Sequence, residues 1–212
     1  MASGVKPSTF LGITYLYLFL STVVTTVSRE YPLTKNPWSM IAYLIASIVI
    51  LIFLLPMKPG IFKHAVFFVL LVIIGQLYAP LNKVTTDKKV IRKTLVMVAG
   101  IFLAMTVVAF LDTGHFLGMG TYLTAGLIGL ILARVGLWIA GMAEVPLSDF
   151  KTWDQMLSYV GIVLFAGYTA YDTQALREEA KTLVGKPDYI NASVHLYLDI
   201  LNLFVNVESL EL

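Results

Sequence analysis

The sequence predicts an all-α integral membrane protein, a single bundle of seven transmembrane helices. Three observations support this. Hydrophobic residues make up 58% of the 212-residue chain and charged residues only 13%, with a mean hydropathy of +0.82. A soluble domain carries about 25% charged residues, because charge keeps a folded surface wet. The apolar residues gather in seven long stretches separated by short polar or Pro/Gly breaks. Within these stretches the residues do not alternate as barrel strands do. Backbone polar groups cannot go unpaired in hydrocarbon, so each stretch is expected to be helical.

The first stretch, Thr9–Ser28, has 20 residues and ends at Arg29-Glu30 and Pro32. It can cross about 30 Å of hydrocarbon as a helix. It exceeds the apolar core of a secretory signal, so a retained membrane helix is expected rather than a cleaved leader. The second, Trp38–Leu55, opens after Asn36-Pro37 and closes at Pro56 and Pro59-Gly60. The third is Ile61–Pro80, followed by the polar loop Asn82–Lys89. The fourth is Val90–Leu111, and the fifth, Phe116–Met142, opens after Gly114 and closes before Pro146. The sixth is Thr152–Leu176 and the seventh Tyr189–Val207. No linker, composition shift or fixed-period repeat divides the chain, so residues 1–212 read as one domain.

The net charge is +2 with no basic arm, which leaves nucleic-acid binding without support. The absence of cysteine excludes disulfides, thiolate nucleophiles and cysteine metal sites. His64, His115 and His195 are scattered, without the i, i+4 pairing of a helical metal site. With seven spans, one side of the membrane carries six Lys/Arg and the other eight, a balance that leans toward an external N-terminus.

Ionisable groups inside a span are costly and mark function by default. Asp172 lies near the end of helix six and Asp199 in the middle of helix seven, with Arg134 in helix five and Asp112 and His115 at the turn before it. Helix seven has the sharpest pattern: His195, Asp199, Asn202 and Asn206 stand at i, i+4, i+7 and i+11 and fall on one stripe. Lipid cannot solvate such a stripe, so it should face the bundle interior or a water-filled cavity. Tyr168 and Asp172 share a face of helix six. On helix one, Thr14, Ser21, Thr25 and Ser28 form another stripe, whose hydroxyls are expected to bond their own backbone. Blander readings stand beside these: Asn202 and Asn206 as interhelical hydrogen-bond glue, His195 as a headgroup-layer residue, and Arg134 as a snorkelling or structurally paired cation. Asn191-Ala192-Ser193 is a formal glycosylation sequon at the start of helix seven, expected to be unused.

The runs LYLDILNLFVN (196–206) and GYTAYDTQAL (167–176) resemble the transmembrane Bax inhibitor motif family. IGQLYAPL (74–81) and DTGHFLGMGTYLTAGLIGLILA (112–133) extend the likeness over about two-thirds of the chain, with Ala79 where the family usually has glycine. The resemblance implies a seven-helix bundle with helix seven near its centre. It also implies a pH-sensitive calcium leak, in which Asp172 and Asp199 form the proton-sensing gate and offer oxygens to calcium. Calcium would be the permeant ion and no cofactor would be required. The expected partners are the lipid bilayer, calcium ions and other membrane proteins. The expected location is a bacterial plasma membrane, or the endoplasmic reticulum or Golgi in a eukaryote. Lys58, Lys63 and Arg134 are the candidates to latch the carboxylates or counter their charge. The sequence stops at Leu212, without the basic tail common in the family.

Asp172 and Asp199 are 27 residues apart on consecutive antiparallel helices, joined by a connection expected over Arg177–Asp188. Two carboxylates in a poorly solvated site cannot both ionise cheaply and would share a proton. Protonated, the pair would hold the helices together; ionised, it would push them apart and admit cations along the Asn202–Asn206 stripe. Two aspartates on neighbouring helices are also the layout of an intramembrane aspartyl protease. That enzyme's glycine-x-glycine-aspartate is absent, since Leu196-Tyr197-Leu198-Asp199 stands here. A non-enzyme is therefore expected. A membrane regulator that binds other membrane proteins is a third reading.

Overall fold

The computed structural model describes residues 5–34, 36, 38–79, 88–143 and 150–211. Among them seven α-helices follow one another, with no β-strand: α1 (Pro7–Glu30), α2 (Ser39–Leu54), α3 (Ile61–Tyr78), α4 (Lys88–Leu111), α5 (Gly120–Met142), α6 (Phe150–Thr182) and α7 (Tyr189–Glu211). A short 3-10 turn, His115–Met119, precedes α5. Most of the polar loop expected at 82–89 lies outside the described residues.

Five of these elements are long and apolar enough to cross a membrane: α1, α3, α4, α5 with its 3-10 turn, and α7. α2 is apolar but has 16 residues. α6 is long, at 33 residues, but carries a polar second half. The seven similar spans read from the sequence thus become five long apolar helices, one short apolar helix and one long mixed helix.

Burial runs opposite to that of a water-soluble protein. Thr14, Ser21, Lys63, Gln76, Ser158, Asp199 and Asn206 are buried, while Phe53, Leu132 and Trp138 are exposed. Water would penalise that arrangement and lipid favours it, since the solvated face must be apolar and the polar groups must pair inside. The protein is an integral membrane protein.

Two helix ends differ from the sequence boundaries for local reasons. α6 continues past Leu176 to Thr182. There Lys181 pairs with Glu178 at i,i+3, and Thr182 donates to the Glu178 carbonyl, closing the last turn. The connection to α7 is correspondingly shorter than expected. α7 continues past Val207 to Glu211, where Ser209 donates to Asp154 of α6 and Glu211 pairs with Lys93 of α4 at 2.8 Å.

The chain forms two compact units, and both α6 and α7 contribute to each. The first holds α1, α2, α3 and residues Leu176–Tyr197. In it α3 packs on α1 and α2. Gly75 of α3 allows close approach to α1, since a Cβ there would lie 2.5 Å from Ser28 Cβ and 2.6 Å from the Thr25 carbonyl. Gln76, next in sequence, finishes α1: its Nε2 donates to the carbonyls of Ser28 (2.7 Å) and Tyr31 (3.1 Å), and its Oε1 accepts from the Leu33 N–H. The second unit holds α4, α5, α6 to Ala175 and α7 from Leu198. Val98 of α4, Leu130 of α5, Phe165 of α6 and Leu203 and Val207 of α7 form its core.

Candidate functional site: the carboxyl pair and polar stripe of α6 and α7

Asp172 and Asp199 both lie in the second unit, and their carboxyls are within hydrogen-bonding reach of each other. Two carboxyl groups can bond only if one carries a proton. Asp199 is buried, 4% exposed, and its Oδ2 has no hydrogen-bond partner among the described residues. Asp172 is half-buried. A buried carboxyl oxygen without a donor is costly in hydrocarbon, and such costs are kept mainly where chemistry uses them. No third acidic or histidine side chain joins the pair into a metal-binding group among the described residues. The pair alone supplies fewer oxygens than the six to eight that calcium takes.

The rest of the stripe splits. His195, one turn before Asp199, is exposed. Asn202 Nδ2 donates to the Leu198 carbonyl at 2.8 Å, and Asn206 Nδ2 donates to the Asn202 carbonyl at 2.7 Å. Asn206 Oδ1 accepts from Arg134 of α5 at 2.7 Å, so Asn206 does tie two helices together. Arg134 also donates to Ser158 Oγ (3.2 Å) and to Asp154 Oδ1 (3.3 Å) on α6. Asp154 Oδ2 accepts from Ser209 of α7 at 2.9 Å. Gly161 of α6 backs this cluster, since a Cβ there would overlap the Asn206 carboxamide. Tyr168 stacks on Phe165 with ring centroids 5.9 Å apart and packs against the apolar core.

The latch candidates go to separate places. Lys58 is exposed. Lys63 is completely buried, and its Nζ donates to Asp188 Oδ2 (2.6 Å), Asn191 Oδ1 (2.8 Å) and the Met57 carbonyl (2.9 Å). Asn191 Nδ2 in turn donates to the Leu55 carbonyl, so the sequon asparagine is engaged on both sides of its amide. The helix-one stripe also divides. Thr14 and Ser21 bond their own backbone as expected. Ser28 donates across to the Val72 carbonyl, and Thr25 bonds the Tyr197 hydroxyl at 2.5 Å.

Asp112 organises the turn before α5. Its Oδ2 accepts from the N–H groups of Gly114 and His115 and from Gln174 Nε2, and its Oδ1 faces His115 Nδ1 at 2.8 Å. The Gln174 and His115 bonds hold its carboxyl well below the usual carboxylate range. Gly114, at φ 113°, allows the chain to turn there.

Sequence reasoning passed over Asp154, Ser158, Gly161, Gln76 and Gln174. Asp154, Ser158 and Gly161 do stand at i, i+4 and i+7 on α6, a helical stripe the spacing could have shown, while Gln76 and Gln174 are single residues whose partners lie far away in the chain.

Residues 7–210 match the family described as "Inhibitor of apoptosis-promoting Bax1". The chain belongs to this Bax inhibitor family. The family match takes in α1 and α2, beyond the stretch from which the resemblance was read. "Inner membrane protein YbhL" of Escherichia coli is 32% identical over 122 residues, 54% of this chain and 48% of that protein. "Bax inhibitor 1" of Schizosaccharomyces pombe is 26% identical over 201 residues, 94% of this chain and 68% of that protein. "Golgi anti-apoptotic protein" of vaccinia virus is 30% identical over 121 residues, 57% of this chain and 46% of that protein. The Bax inhibitor family chain thus spans about half the length of the bacterial relative it matches.

Proposed function

We propose that this chain is a pH-responsive leak pathway for calcium, gated by the shared proton of Asp172 and Asp199. The observation that carries this reading is the carboxyl pair itself: two acids in hydrogen-bonding reach on neighbouring helices, one of them buried with an oxygen left over. With one proton between them, the pair bonds α6 to α7. When the proton leaves, two like charges face each other in a poorly solvated site and repel strongly. Separation of the helices there would let water and cations reach the stripe that continues through Asn202 and Asn206. Carboxylate oxygens suit calcium as a passing ion. The chemistry needs no cofactor and no bond-breaking step, and the membrane we assign is the bacterial plasma membrane, in line with the inner-membrane relative.

The test is calcium entry into dye-loaded liposomes holding the purified chain, from pH 6 to 8, beside D172N, D199N and the double variant. Wild-type flux should rise with pH through a midpoint, and either single variant should abolish that midpoint. A double variant that still titrates near neutral pH removes the gate from these residues. If no preparation conducts at any pH, the leak reading falls. The leading reading would then be a regulator that binds other membrane proteins, in keeping with the relatives named "Bax inhibitor 1" and "Golgi anti-apoptotic protein", and incubation with membrane substrates would test for proteolysis.

A further inference from the structure

Beyond the carboxyl pair, the α7 stripe runs into a cation. Arg134 sits within an apolar helix, and its shortest bond, 2.7 Å, goes to the neutral Asn206 carboxamide rather than to a carboxylate. Its contact with Asp154 is a single one of 3.3 Å, long for a guanidinium–carboxylate bond. The other Asp154 oxygen is taken by Ser209. The positive charge is therefore held closer to the stripe than to its counter-ion. Gly161 leaves no room behind Asn206 for a bulkier residue, so the carboxamide cannot be displaced toward α6 without breaking this contact. A guanidinium stays charged at every pH at which the aspartates titrate.

We propose that Arg134 is the charge-selecting element of the pathway, a fixed cation at the Asn206 end of the stripe that opposes cation passage and that Asp154 partly offsets. An arginine beside a narrow polar path is an effective electrostatic barrier. The reading rests on α6 and α7 forming the pathway. Cations released past Asp172 and Asp199 then meet a positive charge one helical turn beyond Asn202. The leak stays small until that charge is turned toward Asp154.

The absence of cysteine makes a direct test possible. In N202C, reconstituted in liposomes at the pH of greatest flux, the rates of reaction with a cationic and an anionic methanethiosulfonate reagent report the local potential. Adding R134Q should raise the cation-to-anion rate ratio about threefold or more, and adding D154N should lower it by a similar factor. R134K, which keeps the charge, should stay near the parent. Calcium entry should rise with R134Q and fall with D154N. If the thiol reacts but R134Q and D154N leave the ratio unchanged, or move it the same way, Arg134 is not the barrier and the pathway reading survives. If neither reagent reaches the thiol at any pH from 6 to 8, the stripe holds no water and both readings fall. D154N tests the proposal even where R134Q does not fold.

Discussion

The Lys63 ammonium, fully buried in the first turn of α3, lies 2.6 Å from the Asp188 carboxylate just before α7. Asp188 Oδ1 also accepts the Asn191 N–H, so one aspartate both starts α7 and neutralises the buried cation. The start of α7 is thereby pinned to the α2–α3 turn by charge, not by apolar packing alone.

Removing Asp188 leaves the fully buried Lys63 ammonium with no counter-ion. Asp188→Asn should lower stability by about 3–5 kcal/mol, read as a fall in the unfolding midpoint in detergent, and Lys63→Met, which leaves only the partly exposed Asp188, should cost less. The double variant K63M/D188N should lose less than the sum of the two singles. Strict additivity would show that the two groups do not act as a pair.

Gly75 and Gly100 give a matched contrast on two helices consecutive in sequence, α3 and α4. Gly75→Ala places a methyl 2.6 Å from the Thr25 backbone carbonyl, which cannot swing aside, so α1 and α3 must part at a cost of about 1–3 kcal/mol. Gly100→Ala meets nothing within 4 Å. It should be neutral, or stabilising by up to about 1 kcal/mol through helix propensity. Equal effects at the two positions would contradict the close packing of α1 on α3.

Tyr197 is buried, and its hydroxyl bonds Thr25 Oγ1, which also bonds the Leu71 carbonyl. Tyr197→Phe removes one donor but leaves Thr25 a partner. The loss should be about 1 kcal/mol, while Thr25→Val, which strands the tyrosine hydroxyl, should cost more. The order of the two unfolding midpoints checks this.

Asp112 carries a pH signature outside the spans. Its carboxyl is held below its ordinary range in the folded protein by Gln174 and His115, so its contribution is complete above the unfolded carboxylate value of about 4. That contribution is lost progressively as pH falls below that value, because the unfolded carboxylate takes up a proton that the folded one still resists. D112N keeps an oxygen for the turn but no charge. The stability gap between wild type and D112N should therefore shrink between pH 6 and pH 3. A gap constant across that range would mean that the charge of Asp112 contributes nothing.

Much of the architecture was legible because its causes are local. A run of about 20 apolar residues must be helical in lipid whatever surrounds it. The i, i+4, i+7 spacing of Asp199, Asn202 and Asn206 sets them on one stripe by helix geometry alone. Helix ends were less legible. Extra turns at Thr182 and Glu211 depend on ion pairs and hydroxyl bonds that hydropathy does not register.

The sequence by itself determined that this is a helical membrane protein, and it marked Asp172 and Asp199 as the acids to watch, because the cost of a carboxyl in hydrocarbon is written in the surrounding residues. Only the tertiary structure decided who pairs with whom. Lys63 meets Asp188 across 125 residues and Arg134 meets Asn206 across 72. In lipid a buried polar group must find a donor or acceptor wherever the packing of helices brings one, and chain separation places no limit on that choice.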